Sequence, residues 1–145
     1  TTNITLEAWV YPTKASGIQN VMSKSSSSAN NAYIFPRTDN GWNSFVVYLN
    51  IGGWKTLTFP FPARNTWHHI ALCRSGSNYK VFHNGTEIIN VTSTHQIGSN
   101  STKTIGGTDI STGNNLRGYI QDFRITKGLA RYTANFTPPS APLEG

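Results

Sequence analysis

The stretch Trp42-Asn43-Ser44-Phe45-Val46-Val47-Tyr48-Leu49-Asn50-Ile51-Gly52-Gly53-Trp54-Lys55-Thr56-Leu57-Thr58-Phe59 alternates with a period of two. Successive side chains of a strand face opposite ways, so Phe45, Val47, Leu49 and Ile51 fall on one side and Trp42, Ser44, Val46, Tyr48 and Asn50 on the other. The first side is core. Gly52-Gly53 lets the chain reverse, and Trp54, Thr56 and Thr58 then alternate with Lys55, Leu57 and Phe59. Paired as a hairpin, the two strands would gather Trp42, Tyr48 and Trp54 on the face away from the core.

The same period extends in both directions. Ile4, Leu6, Ala8 and Val10 alternate with Thr5, Glu7, Trp9 and Tyr11 until Pro12 stops the ladder. Ile18 to Lys24 predicts a second strand, Ser25 to Asn31 a polar loop, and Tyr33 to Phe35 a short strand ended by Pro36. Trp67 to Arg74 is apolar on both sides, as a central strand covered on both faces would be. Tyr79–His83 and Thr86–Val91 flank Asn84-Gly85, two residues that accept the positive φ of a type I′ turn. Lys103 to Gly107, a Gly- and Asn-rich loop from Thr108 to Asn115, and a long strand from Arg117 to Thr126 follow. Only Gly128 to Tyr132 invites a helical turn. Turn residues every eight to twelve positions predict an all-β sandwich or barrel: one domain over 1–137, with a Pro-rich extended tail over 138–145.

Composition narrows the functional classes. A chain of 145 residues with 37% hydrophobic residues fits one domain, and 4 Trp, 6 Tyr and 7 Phe are too many aromatics for a disordered chain. No stretch approaches the roughly 18 apolar residues of a spanning helix, so no membrane insertion is expected. The net charge of +6 arises from 12 Lys and Arg against only 6 Asp and Glu, spread evenly along the chain. Without a basic stripe there is no sign of specific nucleic-acid binding, while acidic polysaccharides are favoured weakly. A single cysteine, Cys73, allows no internal disulfide.

Several runs resemble one known family. They are Ile4 to Pro12, Trp67-His68-His69-Ile70-Ala71-Leu72, the Tyr79–Gly85 hairpin, Ile105-Gly106-Gly107, and Gly118-Tyr119-Ile120-Gln121-Asp122-Phe123-Arg124-Ile125 with its continuation to Asn135-Phe136-Thr137-Pro138-Pro139. Their order and spacing resemble laminin-G-like, concanavalin A-like jelly-roll modules, in the version common in bacteriophage structural and bacterial surface proteins. The resemblance implies two antiparallel sheets, one of them concave, with loops at the rim. It leaves function open, because this fold hosts lectins, glycosidases, receptor-binding modules and spacers.

Catalysis is not expected. Glycosidases of this fold resemble one another in a Glu-x-Asp-x-x-Glu run that sets two carboxylates on one face. Here no two acids lie closer than thirteen positions. His68 and His69, as strand neighbours, face opposite sides and cannot readily share an ion; His69 and Cys73 share a face but sit roughly 13 Å apart, too far for a nucleophile and its base. The resemblance implies a rim-loop calcium, for which Asp109 and Asn114 offer oxygen ligands, although one acid compensates little charge. Asp122 and Arg124 read as an intramolecular pair on one strand face.

The aromatic face is the main candidate. Trp42, Tyr48, Asn50 and Trp54 combine rings for stacking on a sugar with amides and hydroxyls for its oxygens. The expected protein is a non-catalytic recognition module of a larger extracellular or virion-surface protein, binding a glycan or cell-surface polysaccharide, with no cofactor apart from the candidate calcium. The alternative is a structural decoration or assembly subunit, homo-oligomeric or packed on neighbouring domains.

Overall fold

The computed structural model describes residues 3–14, 18–24, 33–39, 44–51, 54–60, 63–97, 103–107, 114–141 and 143, with the backbone alone for 33–39, 44–48, 50, 54, 59 and 60. The described residues form ten strands: β1 Ile4–Pro12, β2 Asn20–Lys24, β3 Tyr33–Asp39, β4 Ser44–Asn50, β5 Trp54–Pro60, β6 His68–Ser75, β7 Asn78–His83, β8 Thr86–Thr92, β9 Lys103–Ile105 and β10 Gly118–Lys127. They form two five-stranded sheets, ordered β10-β1-β6-β7-β8 and β5-β4-β3-β2-β9. Among the described residues no helix is long and apolar enough to cross a membrane.

The first sheet dominates a unit of residues 1–11, 67–94 and 120–145. β1 pairs antiparallel with β6 from Ile4↔Arg74 to Val10↔His68. On one face Ile4, Leu6, Ala8 and Val10 join Ile70, Leu72, Tyr79 and Val81, all buried. On the other face of β1 the polar Thr5 and Glu7 are fully buried as well. The cover is the segment Gly128–Phe136. It contains no helical turn at Gly128–Tyr132, contrary to the expectation from sequence, because its hydrogen bonds run back to the sheet. Gly128 N donates to Asn3 O, Arg131 N to Thr5 Oγ1, and Phe136 N to Gly85 O, each at 2.9 Å. Tyr132 and Phe136, stacked with 3.6 Å between centroids, pack on Ala71, Cys73 and Phe82. The Asn84-Gly85 turn forms as expected, with φ of 48° and 80°. Gly85 is required twice over, since a Cβ there would lie 1.8 Å from Phe136 O.

The second sheet belongs to a unit of residues 12–66 and 95–119. Its β4–β5 hairpin has the register expected from the alternation, with Tyr48 opposite Thr56 and Asn50 opposite Trp54. Leu49 and Ile51 are buried, as their positions on the core side require. β3 corrects the expectation that Pro36 ends the strand, because it continues to Asp39. The ladder shifts between Ile34 and Arg37, a bulge that takes up the proline's missing donor.

Candidate functional site

The C-terminal cover and the β1–β6 ladder together build a buried polar hub around Glu7. Its carboxylate is completely buried. Oε1 accepts from Arg124 Nε at 2.9 Å and from a terminal guanidinium nitrogen at 2.7 Å. Oε2 accepts from the Tyr132 hydroxyl at 2.8 Å and lies 3.2 Å from His69 Nε2. Burial alone would raise the Glu7 carboxyl, but the hydrogen bonds from His69, Arg124 and Tyr132, with the Arg124 charge, hold it below the ordinary carboxylate value. Burial, and then the bond to Glu7, push the Tyr132 phenol up. Such a carboxylate has no free lone pair aimed at solvent; its work is to hold its neighbours in place.

Those neighbours shape a cleft. The His69 ring meets Trp9 edge-on at 5.2 Å between centroids, and the His69 backbone exchanges two hydrogen bonds with Asn84, N–H to Oδ1 at 2.9 Å and carbonyl from N–H at 2.8 Å. Trp9 and Asn84 then line, with Trp67, Gln121, Asp122 and residues Pro138 to Ala141, a cleft of about 600 Å³. The volume lies within the range of small-ligand sites, and the mixture of apolar wall and few polar groups is theirs as well. Trp67 is 39% exposed and leans on Tyr11, 5.4 Å between centroids. Asp122 has φ of +52°, a left-handed backbone uncommon for a residue with a side chain, although Asp and Asn tolerate it best. Gln121 donates to its Oδ2 in a long contact of 3.4 Å.

This backbone corrects the expected Asp122–Arg124 pair. A left-handed residue breaks the alternation on which a shared face depended, and the Arg124 guanidinium goes to Glu7. The two adjacent histidines do face opposite ways: His69 meets Glu7, while His68 Nδ1 is 3.0 Å from His83 Nε2. Both are buried. Burial, and then His68, lower the His83 value.

Of the expected sugar face, Trp42 lies outside the described residues, and so do the side chains of Tyr48, Asn50 and Trp54. The register places those three on one side of the hairpin, where Thr56 and Thr58 are exposed. Of the expected calcium ligands, Asp109 lies outside the described residues. The Asn114 carbonyl already accepts from Asn20 N and Nδ2, each at 3.0 Å. Beside it the buried Asn20 Oδ1 has no partner among the described residues, an oxygen that an ion or water could use. No group of three His, Cys, Asp or Glu gathers among the described residues.

Sequence reasoning passed over Glu7, Trp9, Trp67 and the place of Asp122 in the cleft lining. Two signals were present: an acid inside the apolar run Leu6-Glu7-Ala8, and a tryptophan at the head of the apolar run Trp67 to Arg74.

An all-β chain of two antiparallel sheets with an aromatic-walled cleft defines a lectin-like class of fold. The chain belongs to the concanavalin A-like lectin/glucanases superfamily, whose laminin-G family matches residues 1–130, and its fold is the jelly-roll type of that family. No curated protein sequence matches it. Among solved structures it is similar to a protein from Bacteroides ovatus described as carbohydrate-binding, with a TM-score of 0.70 and 18% identity over 90% of this chain and 38% of that one. It is also similar to domain 4 of an extracellular arabinanase from Geobacillus stearothermophilus in complex with arabinotriose, with a TM-score of 0.68 and 18% identity over 86% and 60% of the two chains. A third is the enzymatically active domain of tailspike protein 2 from bacteriophage CBA120, with a TM-score of 0.64 and 15% identity over 86% and 22%. At such identities the likeness is one of fold, and the chain spans less than two thirds of each of these structures.

Proposed function

We propose that this domain is a non-catalytic glycan-recognition module of a larger extracellular or virion-surface protein. The observation that carries the reading is the cleft between Trp9, Trp67 and the segment Pro138 to Ala141, in which Asn84, Gln121 and Asp122 supply the polar groups. Aromatic rings present a flat apolar surface to the C–H face of a sugar, and amides and a carboxylate pair with its hydroxyls. Hydrolysis needs two carboxylates flanking the bond. Among the described residues lining the cleft there is one, Asp122. The arabinotriose complex of a similar domain supports the same class of ligand.

The β4–β5 face with Trp42, Tyr48, Asn50 and Trp54 is a second contact surface in this proposal. A glycan array probed with the wild-type chain, with Trp67→Ala and with the double substitution Trp42→Ala and Trp54→Ala separates the surfaces. Loss of retention in Trp67→Ala places the ligand in the cleft, and loss confined to the double variant places it on the hairpin. A wild-type chain that ignores every glycan and assembles into regular oligomers would overturn recognition in favour of the structural alternative. Calcium at Asp109 and the side chains of Asn114 and Asn20 is a separate proposal: EDTA should lower Tm, and an unchanged Tm would end it.

A further inference from the structure

We propose that the cleft selects uncharged saccharides and discriminates against sugar acids, and that Asp122 is the residue that does so; the inference rests on the glycan reading above. It runs against the net charge of +6, which alone would favour anionic polysaccharides. The lining contains Trp9, Trp67, Asn84, Gln121, Asp122 and the segment Pro138 to Ala141, and among these described residues the one formal charge is the Asp122 carboxylate. Among the described residues no Lys or Arg lines it. The cation nearest in sequence, Arg124, directs its guanidinium to the buried Glu7, at 2.7 Å. Charges elsewhere on the surface are screened beyond about 8 Å at physiological ionic strength, whereas a carboxylate in contact with the ligand is not.

The polar groups suit hydroxyls. Asp122 accepts only, and its two oxygens match the adjacent hydroxyls of a pyranose or furanose ring. The Asn84 Oδ1 is occupied by the His69 N–H, which leaves its Nδ2 to donate to a ring or hydroxyl oxygen. Gln121 is exposed, so its amide is accessible to a ligand. The left-handed backbone at Asp122 sets its side chain apart from the strand's alternation, and the structure around it sustains an uncommon conformation, as positions at binding sites often do. A uronate or sialate carboxylate brought to this group meets a like charge at contact range in a partly desolvated cleft. That repulsion corresponds to a loss of affinity on the order of tenfold or more.

The test is calorimetric titration of the whole chain with matched trisaccharides, glucose against glucuronate and galactose against galacturonate. The wild-type chain should bind at least one neutral member, with its uronate partner about tenfold weaker or more. Asp122→Asn keeps the tolerance for positive φ and the hydrogen-bonding shape while removing the charge, and should bring the partners to within about threefold. Gln121→Glu, at an exposed position that leaves the fold intact, should widen the gap. Uronates bound as tightly as their neutral partners by the wild-type chain, or a ratio unmoved by both substitutions, would overturn the selectivity and leave glycan recognition standing. Binding of no member of either pair would overturn the selectivity for these neutral sugars, and the glycan array above decides recognition separately.

Discussion

Replacing Glu7 by Gln is expected to cost about 3–5 kcal/mol of folding stability, the range for breaking a buried ion pair on one side. The structure shows where that loss arises. Four donors converge on the Glu7 carboxylate, two from Arg124 at 2.9 and 2.7 Å, the Tyr132 hydroxyl at 2.8 Å and His69 at 3.2 Å. A glutamine offers one acceptor oxygen, so its amide N–H must confront Arg124 or the Tyr132 and His69 side. The Arg124 guanidinium, 16% exposed, is meanwhile left without its counter-charge. A domain of this size has a total stability of roughly 5–15 kcal/mol, so the variant would lose about a fifth of it or more. Urea unfolding at pH 7, followed by tryptophan fluorescence, should show a lower midpoint with the slope unchanged. Adding Arg124→Gln to Glu7→Gln removes the stranded charge and should recover part of the loss, which a double-mutant cycle reads as coupling. A loss below about 1 kcal/mol in the single variant, or no recovery in the double one, would refute the hub as the element that pins the C-terminal segment to the sheet.

Three further outcomes are expected. Acid should destabilise the fold in two stages: the His83 value is lowered from 6.5, so its contribution is complete above pH 6.5 and declines below it. Glu7, lowered from 4.5, adds a loss as pH falls through and below that value; a Tm that rises on acidification from pH 7 to 4 would contradict both. Gly85→Ala forces a Cβ to within 1.8 Å of Phe136 O at a φ of +80°, so it should lower stability by about 1–3 kcal/mol and open Tyr132 to limited proteolysis; unchanged cleavage would show that the segment is held elsewhere. Burial raises the Cys73 thiol and hides it, so Ellman's reagent should react with it only at the rate of unfolding; prompt labelling of the native chain would contradict its place beneath Tyr132.

The strands were legible because period-two alternation and turn chemistry are local. Asn84-Gly85 fixes its hairpin from two residues, and Leu49 and Ile51 are buried where the alternation puts them. Pro36 misled for an equally local reason, since a proline's missing donor need not end a strand when a bulge takes it up. The Glu7 hub was not legible, as its partners lie 62, 117 and 125 positions away and only the folded ladder brings them together. The segment Gly128–Phe136 has no period of its own because its hydrogen bonds are to other elements. The cleft joins residues of β1, the entry to β6, the 84–85 turn, β10 and the C-terminal segment, and one of its groups depends on a backbone conformation that sequence does not announce.

The most direct test of the central claim is a crystal structure of the chain soaked with a neutral trisaccharide that it retains. A sugar ring stacked on Trp67, with hydroxyls on Asp122 and Asn84, is the expected result. A sugar seated instead on the β4–β5 hairpin, with the cleft empty, would contradict it.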